Sequence, residues 1–136
     1  MGLLRSTLPS IMVGEAERHD LTVLTMGGIG HTADAADDLL YELGRAKVVD
    51  DHRLPPDIVR MGSTVTLRLE CGQVQVVRLA YPDETGLNDI SIFSVLGTAL
   101  IGLRPGQTIK WTDRGGGSRQ FTVLSVRNPK APQLVS

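Results

Sequence analysis

Apolar positions recur along this chain with two different periods. Residues 14–25, GEAERHDLTVLT, place Ala16, Leu21 and Leu24 on one side of a short helix, although the β-branched Val23 and Thr25 weaken it. MGGIGH follows, with three glycines in four residues, and predicts a turn. Thr32 is the expected N-cap of a second helix over about 33–47, with Asp34 in its first turn to complement the helix dipole. Ala36, Leu39, Leu40, Leu43 and Ala46 follow at spacings of three and four and make one apolar stripe. The two helices and their Gly turn predict an αα-hairpin. Pro55 and Pro56 end the helical region, because neither can donate a backbone hydrogen bond.

Beyond the prolines the period changes to two. Val65, Leu67 and Leu69 alternate with Thr64, Thr66 and Arg68, the signature of a half-buried strand. Cys71-Gly72 predicts a turn, and QVQVVRLAY a second strand whose phase slips at Val76-Val77, implying a bulge or burial on both faces. Pro82 to Asp89 reads as a polar loop, ISIFS as a short strand and LGTALIGL as a short helix or turn. TIKWT, with Ile109 and Trp111 on one face, and RQFTVLSVR then form a hairpin across the glycines at 115–117. The expected fold class is α+β: a short antiparallel helical hairpin followed by an antiparallel sheet carrying one short helix. The expected boundaries are an N-terminal extension at 1–13, the hairpin at 14–53, the sheet domain at 54–128 and a tail at 129–136.

Composition narrows the function classes. With 136 residues, 41% of them apolar and 21% charged, the chain suits one compact domain with an appendage. No apolar run reaches the 18 or so residues of a membrane span, and Glu15 interrupts the start before a signal-peptide pattern develops, so a cytoplasmic location is expected. Five aromatic residues argue against a base-stacking platform. The net charge of −1 conceals an asymmetry: residues 1–57 carry −5 and residues 58–136 carry +4.

No residue set compels catalysis. The Gly27–Gly30 turn lacks the Lys-Ser or Lys-Thr of a phosphate loop, and the acids Asp34, Asp37 and Asp38 that follow it repel phosphate; they read as a solvated helix start. His19, His31 and His52 lack a second His at i+3 or i+4, and they read as exposed side chains rather than metal ligands. Cys71 excludes an internal disulfide and, without a neighbouring base, reads as a semi-buried residue instead of a nucleophile. No Gly-x-Ser-x-Gly pattern occurs. Neither a cofactor nor a metal is expected.

The order of segments resembles the Gre-type transcript-cleavage factors, and more closely their shorter relatives, the regulators of nucleoside diphosphate kinase known as Rnk. LPPDIVRMG at 54–62 and ISIFSVLGTALIGLRPG at 90–106 carry the resemblance, supported by IKW, a Gly-rich turn and FTVLSV, over roughly 14–128. It implies an FKBP-like C-terminal fold and a non-enzymatic regulator of transcription elongation that binds RNA polymerase at its secondary-channel rim, with the hairpin pointing inward as a short coiled coil. The implied docking loop contains Asp89, Phe93, Ser94 and Val95. Relatives commonly have an acid, Ser and Pro where this chain has Phe93, Ser94 and Val95, so only Ser94 matches, and Phe93 is either an apolar anchor or part of the core. The hairpin tip, Met26 to His31 and so including Gly28 and Ile29, has no acid of the kind that helps cleavage factors hold a metal ion at the polymerase centre. A helix of 12 residues, about 18 Å long, is also too short for their reach. The resemblance therefore implies a binder without cleavage activity, monomeric and touching DNA only through the polymerase.

The sequence also admits two rival readings. Arg60, Arg68, Arg78, Arg104, Arg114, Arg119 and Arg127 could make the C-terminal part a nucleic-acid-binding module. A prolyl isomerase, suggested by fold alone, has too few aromatics here to line a proline pocket.

Overall fold

The computed structural model describes residues 4–7, 9–28, 31–112 and 115–129. Strands β1 (Leu4–Thr7) and β2 (Met12–Gly14) lead into helices α1 (Glu15–Met26) and α2 (Ala33–Arg45). Strand β3 (Lys47–Val49) follows, then β4 (Thr64–Leu69), β5 (Val74–Ala80), β6 (Asp89–Ser91), helix α3 (Val95–Leu100), β7 (Thr108–Thr112) and β8 (Ser118–Arg127). One sheet of six strands has the order β1-β7-β8-β4-β5-β6, antiparallel except for the β5–β6 pair. β2 and β3 form a separate parallel pair. The fold is thus α+β with a mostly antiparallel sheet and a helical N-terminal part.

Local chemistry sets the helix ends. The Thr32 hydroxyl accepts the Ala35 N–H at 3.1 Å, capping α2 as its sequence predicts. The helix stops at Arg45, two residues before the predicted end, because Val48 and Val49 are drawn into β3 alongside β2. Strands β1 and β2 lie in the segment the hydrophobic pattern leaves unassigned.

The helices bury their inner sides in the same apolar cluster as the sheet. Leu21 of α1 and Leu39 and Leu43 of α2 join Leu67, Leu79, Phe121 and Val123 there, together with Leu100, Ile101 and Leu103 from α3 and the turn after it. The hairpin therefore lies on the domain and does not stand away from it. Arg18 Nε donates to the Leu43 carbonyl at 3.2 Å, tying the start of α1 to the end of α2.

Details of the helix faces depart from expectation. Ala16 is exposed, and Thr25 is buried in its place, its hydroxyl satisfied by the Leu21 carbonyl at 2.6 Å. Leu40 is 37% exposed, whereas Glu42 is fully buried. Arg45 makes that burial tolerable by donating from Nε and a terminal nitrogen to the two Glu42 oxygens at 2.8 and 3.1 Å. The same guanidinium holds the Pro9 carbonyl at 2.8 Å.

No bulge occurs at Val76-Val77. The β4–β5 register is regular there, and Val76 is simply on the open face, 52% exposed, while Val77 is buried. The irregularity lies one strand away, where Thr66 pairs with Ser125 but Leu67 pairs with Val123, leaving Leu124 as the extra residue. In the β7–β8 connection Gly116 has a φ of 83°, the left-handed conformation expected of such a loop. Ile29, Arg114, the Trp111 side chain and the 130–136 tail lie outside the described residues.

Candidate functional site

The segment between β6 and α3 is built almost entirely from short polar contacts. The Ser94 hydroxyl accepts the Gly97 N–H at 3.0 Å, capping α3, and donates to the Ser91 carbonyl at 2.6 Å. The Phe93 N–H donates to Ser91 Oγ at 3.1 Å, and buried Thr98 donates its hydroxyl to the Ile92 carbonyl at 2.7 Å. A Cβ on Gly97 would run into the Ser91 carbonyl, so α3 can approach β6 this closely only with glycine at that position. Ser94 is thereby a residue that shapes the loop. Gly97 and Thr98 share that role.

Asp89 begins the segment and is fully engaged. Its oxygens accept from Arg78 at 3.0 and 2.6 Å, in a bidentate pair across β5 and β6, and from the Gly86 N–H at 2.9 Å. The Arg78 guanidinium, helped by that N–H, holds the Asp89 carboxyl below the usual carboxylate range. The pair clamps the loop at 86–89, where Asn88 adopts a positive φ of 67°.

Phe93, Ser94 and Val95 line one hollow, and Val95, which also lines a second, makes the ridge between the two. One, of about 210 Å³, lies between the start of α2 and α3 and includes Thr32, Asp38, Phe93 and Val95 in its lining. The other, of about 300 Å³, is more apolar; Val95, Leu96, Leu69 and Phe121 contribute to it, and the Arg119–Glu70 pair borders it. Val95 belongs to both and is 39% exposed. Phe93 is half-buried and packs partly on the core, so its ring is neither wholly anchor nor wholly core.

The hairpin tip meets this ridge. The imidazole of His31 stacks on the Phe93 ring with centroids 4.0 Å apart and planes 13° from parallel. His31 Nε2 also lies 2.9 Å from the Thr25 carbonyl, which closes the tip back on α1. Gly28 turns the chain with a φ of 72°, and Met26 projects into solvent, 76% exposed. His31 is accordingly half-buried and partnered, where its sequence position predicts exposure.

Other candidates fall elsewhere. His19 and His52 are exposed, as predicted, and both border an acidic hollow with Asp20, Asp50 and Asp51. No group of three or more His, Cys, Asp or Glu among the described residues is arranged to hold a metal. Asp37 is exposed, but Asp38 is buried against the ridge hollow, so the start of α2 is only partly solvated. Cys71 is exposed at its turn, not semi-buried. No described helix is long and apolar enough to cross a membrane.

Comparison with known proteins sets this geometry in a family. Residues 54–128 match the model described as transcription elongation factor, GreA/GreB, C-terminal. The chain is 33% identical to the regulator of nucleoside diphosphate kinase of Escherichia coli K12 over 121 residues, 87% of this chain and 89% of that protein. It is 32% identical to transcription elongation factor GreA of Azorhizobium caulinodans over 115 residues, covering 82% and 70% of the two chains. Among solved structures, a GreA/GreB elongation factor from Nitrosomonas europaea superposes with a TM-score of 0.68 at 35% identity, covering 88% of this chain and 99% of that one.

Proposed function

This chain belongs to the GreA/GreB family of transcription elongation factors, on the side of the regulators of nucleoside diphosphate kinase, and from that membership we propose that it is a regulator of transcription that docks on RNA polymerase through the ridge at 93–95. The observation that carries the reading is the ridge itself: an exposed apolar side chain, Val95, set between two hollows on a loop held rigid by Ser94, Gly97 and the Arg78–Asp89 pair. A preformed apolar prominence of this kind inserts into a partner with little loss of conformational entropy. The dock is at the rim of the secondary channel, and one copy of the chain acts per polymerase, in the cytoplasm.

The tip supports a regulator without transcript-cleavage activity. It carries no carboxylate, its helices are only 12 and 13 residues long, and His31 rests on Phe93. A hairpin held down on the docking loop enters the channel shallowly and offers no ligand to a metal ion at the polymerase centre. The C-terminal part is FKBP-like in fold and has no isomerase activity.

Retention of purified core RNA polymerase by the immobilised chain tests the reading. Wild type retains polymerase; Val95→Arg and Phe93→Asp, checked for folding by circular dichroism, lose at least ten-fold in affinity, as expected for a buried anchor. Wild type gives no stimulation of RNA cleavage in stalled complexes. Failure of wild type to retain polymerase, or equal retention by Val95→Arg, refutes the docking proposal.

A further inference from the structure

The sheet has a second, open face, and the ladder registers say which side chains share it. Directly paired residues point to the same side of an antiparallel ladder. Arg127, Thr64 and Arg78 form one row; Ser125, Thr66 and Val76 the next; Thr108, Thr122, Arg68 and Val74 a third. Lys110 and Gln120 form the fourth row. Val74 and Val76 are more than half exposed, so no described helix covers this side, and the hydroxyls of Thr108 and Thr122 are linked at 2.8 Å across its centre.

The charged side chains that β7, β8, β4 and β5 place on this face are all basic, with Asp89 of β6 at its edge. Arg68, Lys110 and Arg127 are all exposed and make no ion pair among the described residues, whereas Arg78 is neutralised by Asp89. The arginines that inflate the C-terminal charge are thereby sorted. Arg60 faces Glu17 and Asp51, and Arg119 is paired with Glu70, so neither is available to a polyanion in the same way. Lys110, absent from any arginine count, completes the open set.

From strand spacing and rise, Arg68 lies about 12 Å from Lys110 and about 14 Å from Arg127 at the level of the backbone. Three unneutralised cations held at that separation on a rigid, hydroxyl-rich surface fit phosphates on different turns or strands of a duplex better than neighbouring phosphates of one flexible strand. The described residues of the face include no aromatic ring to stack a base. We infer that the open face of the β7-β8-β4-β5 sheet is a contact surface for the sugar-phosphate backbone of duplex DNA. Arg68, Lys110 and Arg127 neutralise phosphates there, and the threonine hydroxyls donate to phosphate oxygens. The contact is independent of sequence, and it lies on a different surface from the docking ridge.

Fluorescence anisotropy of the full chain with a labelled 30-base-pair duplex, without polymerase, tests the surface. Binding at 50 mM salt falls as salt is raised, with a log–log slope of about −3 for three phosphate contacts. Arg68→Glu/Lys110→Glu/Arg127→Glu, checked for folding by circular dichroism, weakens binding at least ten-fold, while Arg53→Glu on the helical side leaves it unchanged. Absence of wild-type binding at 50 mM salt, equal binding by the triple variant, or equal loss in Arg53→Glu overturns the assignment. The polymerase-retention experiment has its own outcome, so failure of one proposal does not imply failure of the other.

Discussion

Replacing Glu17 by Gln will make the protein more stable above neutral pH and leave it nearly unchanged near pH 4.5. Glu17 lies in the first turn of α1, its side chain only 10% exposed, against the loop that leads into β4. One oxygen accepts the Met61 N–H at 3.2 Å and lies 3.9 Å from Arg60; the other is buried without a hydrogen-bond partner among the described residues. Burial raises the carboxyl from 4.5 to about 7, outweighing the N–H and Arg60, and the nearby Asp51 and Asp20 push the same way. Because the folded value lies above the unfolded one, the contribution to stability is complete below pH 4.5. It is lost as pH rises through about 7. The full loss is about 3 kcal/mol at 1.4 kcal/mol per pH unit, a ceiling given the residual exposure and a substantial part of a typical folding free energy of about 5–15 kcal/mol. Gln keeps the acceptor for Met61 and the volume but has no charge to desolvate. Urea unfolding followed by circular dichroism at pH 4.5, 6, 7 and 8 will show the variant's midpoint pulling ahead of wild type by about 1–2 M at pH 8 and converging with it at the acid end. Parallel stability curves over that range would refute the assignment of the raised carboxyl to Glu17.

Two further perturbations test the loop that carries the ridge. Gly97→Ala forces a Cβ into the Ser91 carbonyl and will cost about 2 kcal/mol or more, seen as a fall of several degrees in Tm, whereas Gly44→Ala in the open helix α2 will be neutral or slightly stabilising. The Asp89 carboxyl lies below its ordinary range, so its stabilising pair with Arg78 is present above that range and is lost as pH falls through the folded value. Amide protection factors over residues 86–93, taken relative to the intrinsic exchange rate at each pH, will therefore fall in acid in wild type, and in Asp89→Asn they will already be low at pH 7; unchanged protection in the variant would count against the clamp.

Elements governed by neighbours in sequence were legible. The period-3.6 stripe and the Thr32 cap locate α2, and the period-2 alternation locates β4, because each depends on contacts within a few residues. The short strands β1, β2 and β3 have no more than four residues each, too few for a period, and their partners lie up to about a hundred residues away. The doubled valines of β5 misled for a related reason. An apolar residue on an uncovered sheet face is ordinary, so Val76 carries no information about a bulge. Burial of Glu42 was invisible until Arg45, one helical turn later, could be placed on it, and the Pro9 carbonyl that fixes Arg45 comes from outside the helix altogether.

The candidate site divides along the same line. Ser94 and Gly97 follow from a local rule, a hydroxyl capping a helix and a glycine where backbones touch, and the cap could have been read from the Ser-x-x-Gly spacing before an apolar run. The contact between His31 and Phe93 could not, because two rings 62 positions apart leave no periodic trace in either segment. That contact nevertheless changes what the hairpin can do. A stacked pair contributes about 1 kcal/mol beyond its buried area, small beside the burial of Leu21, Leu39 and Leu43 in the common core. The core holds the hairpin on the domain, and the stack decides only where its tip rests. Lengthening the helices without altering those leucines would therefore move the tip off the ridge while leaving the hairpin attached, which separates docking by the ridge from any action of the tip.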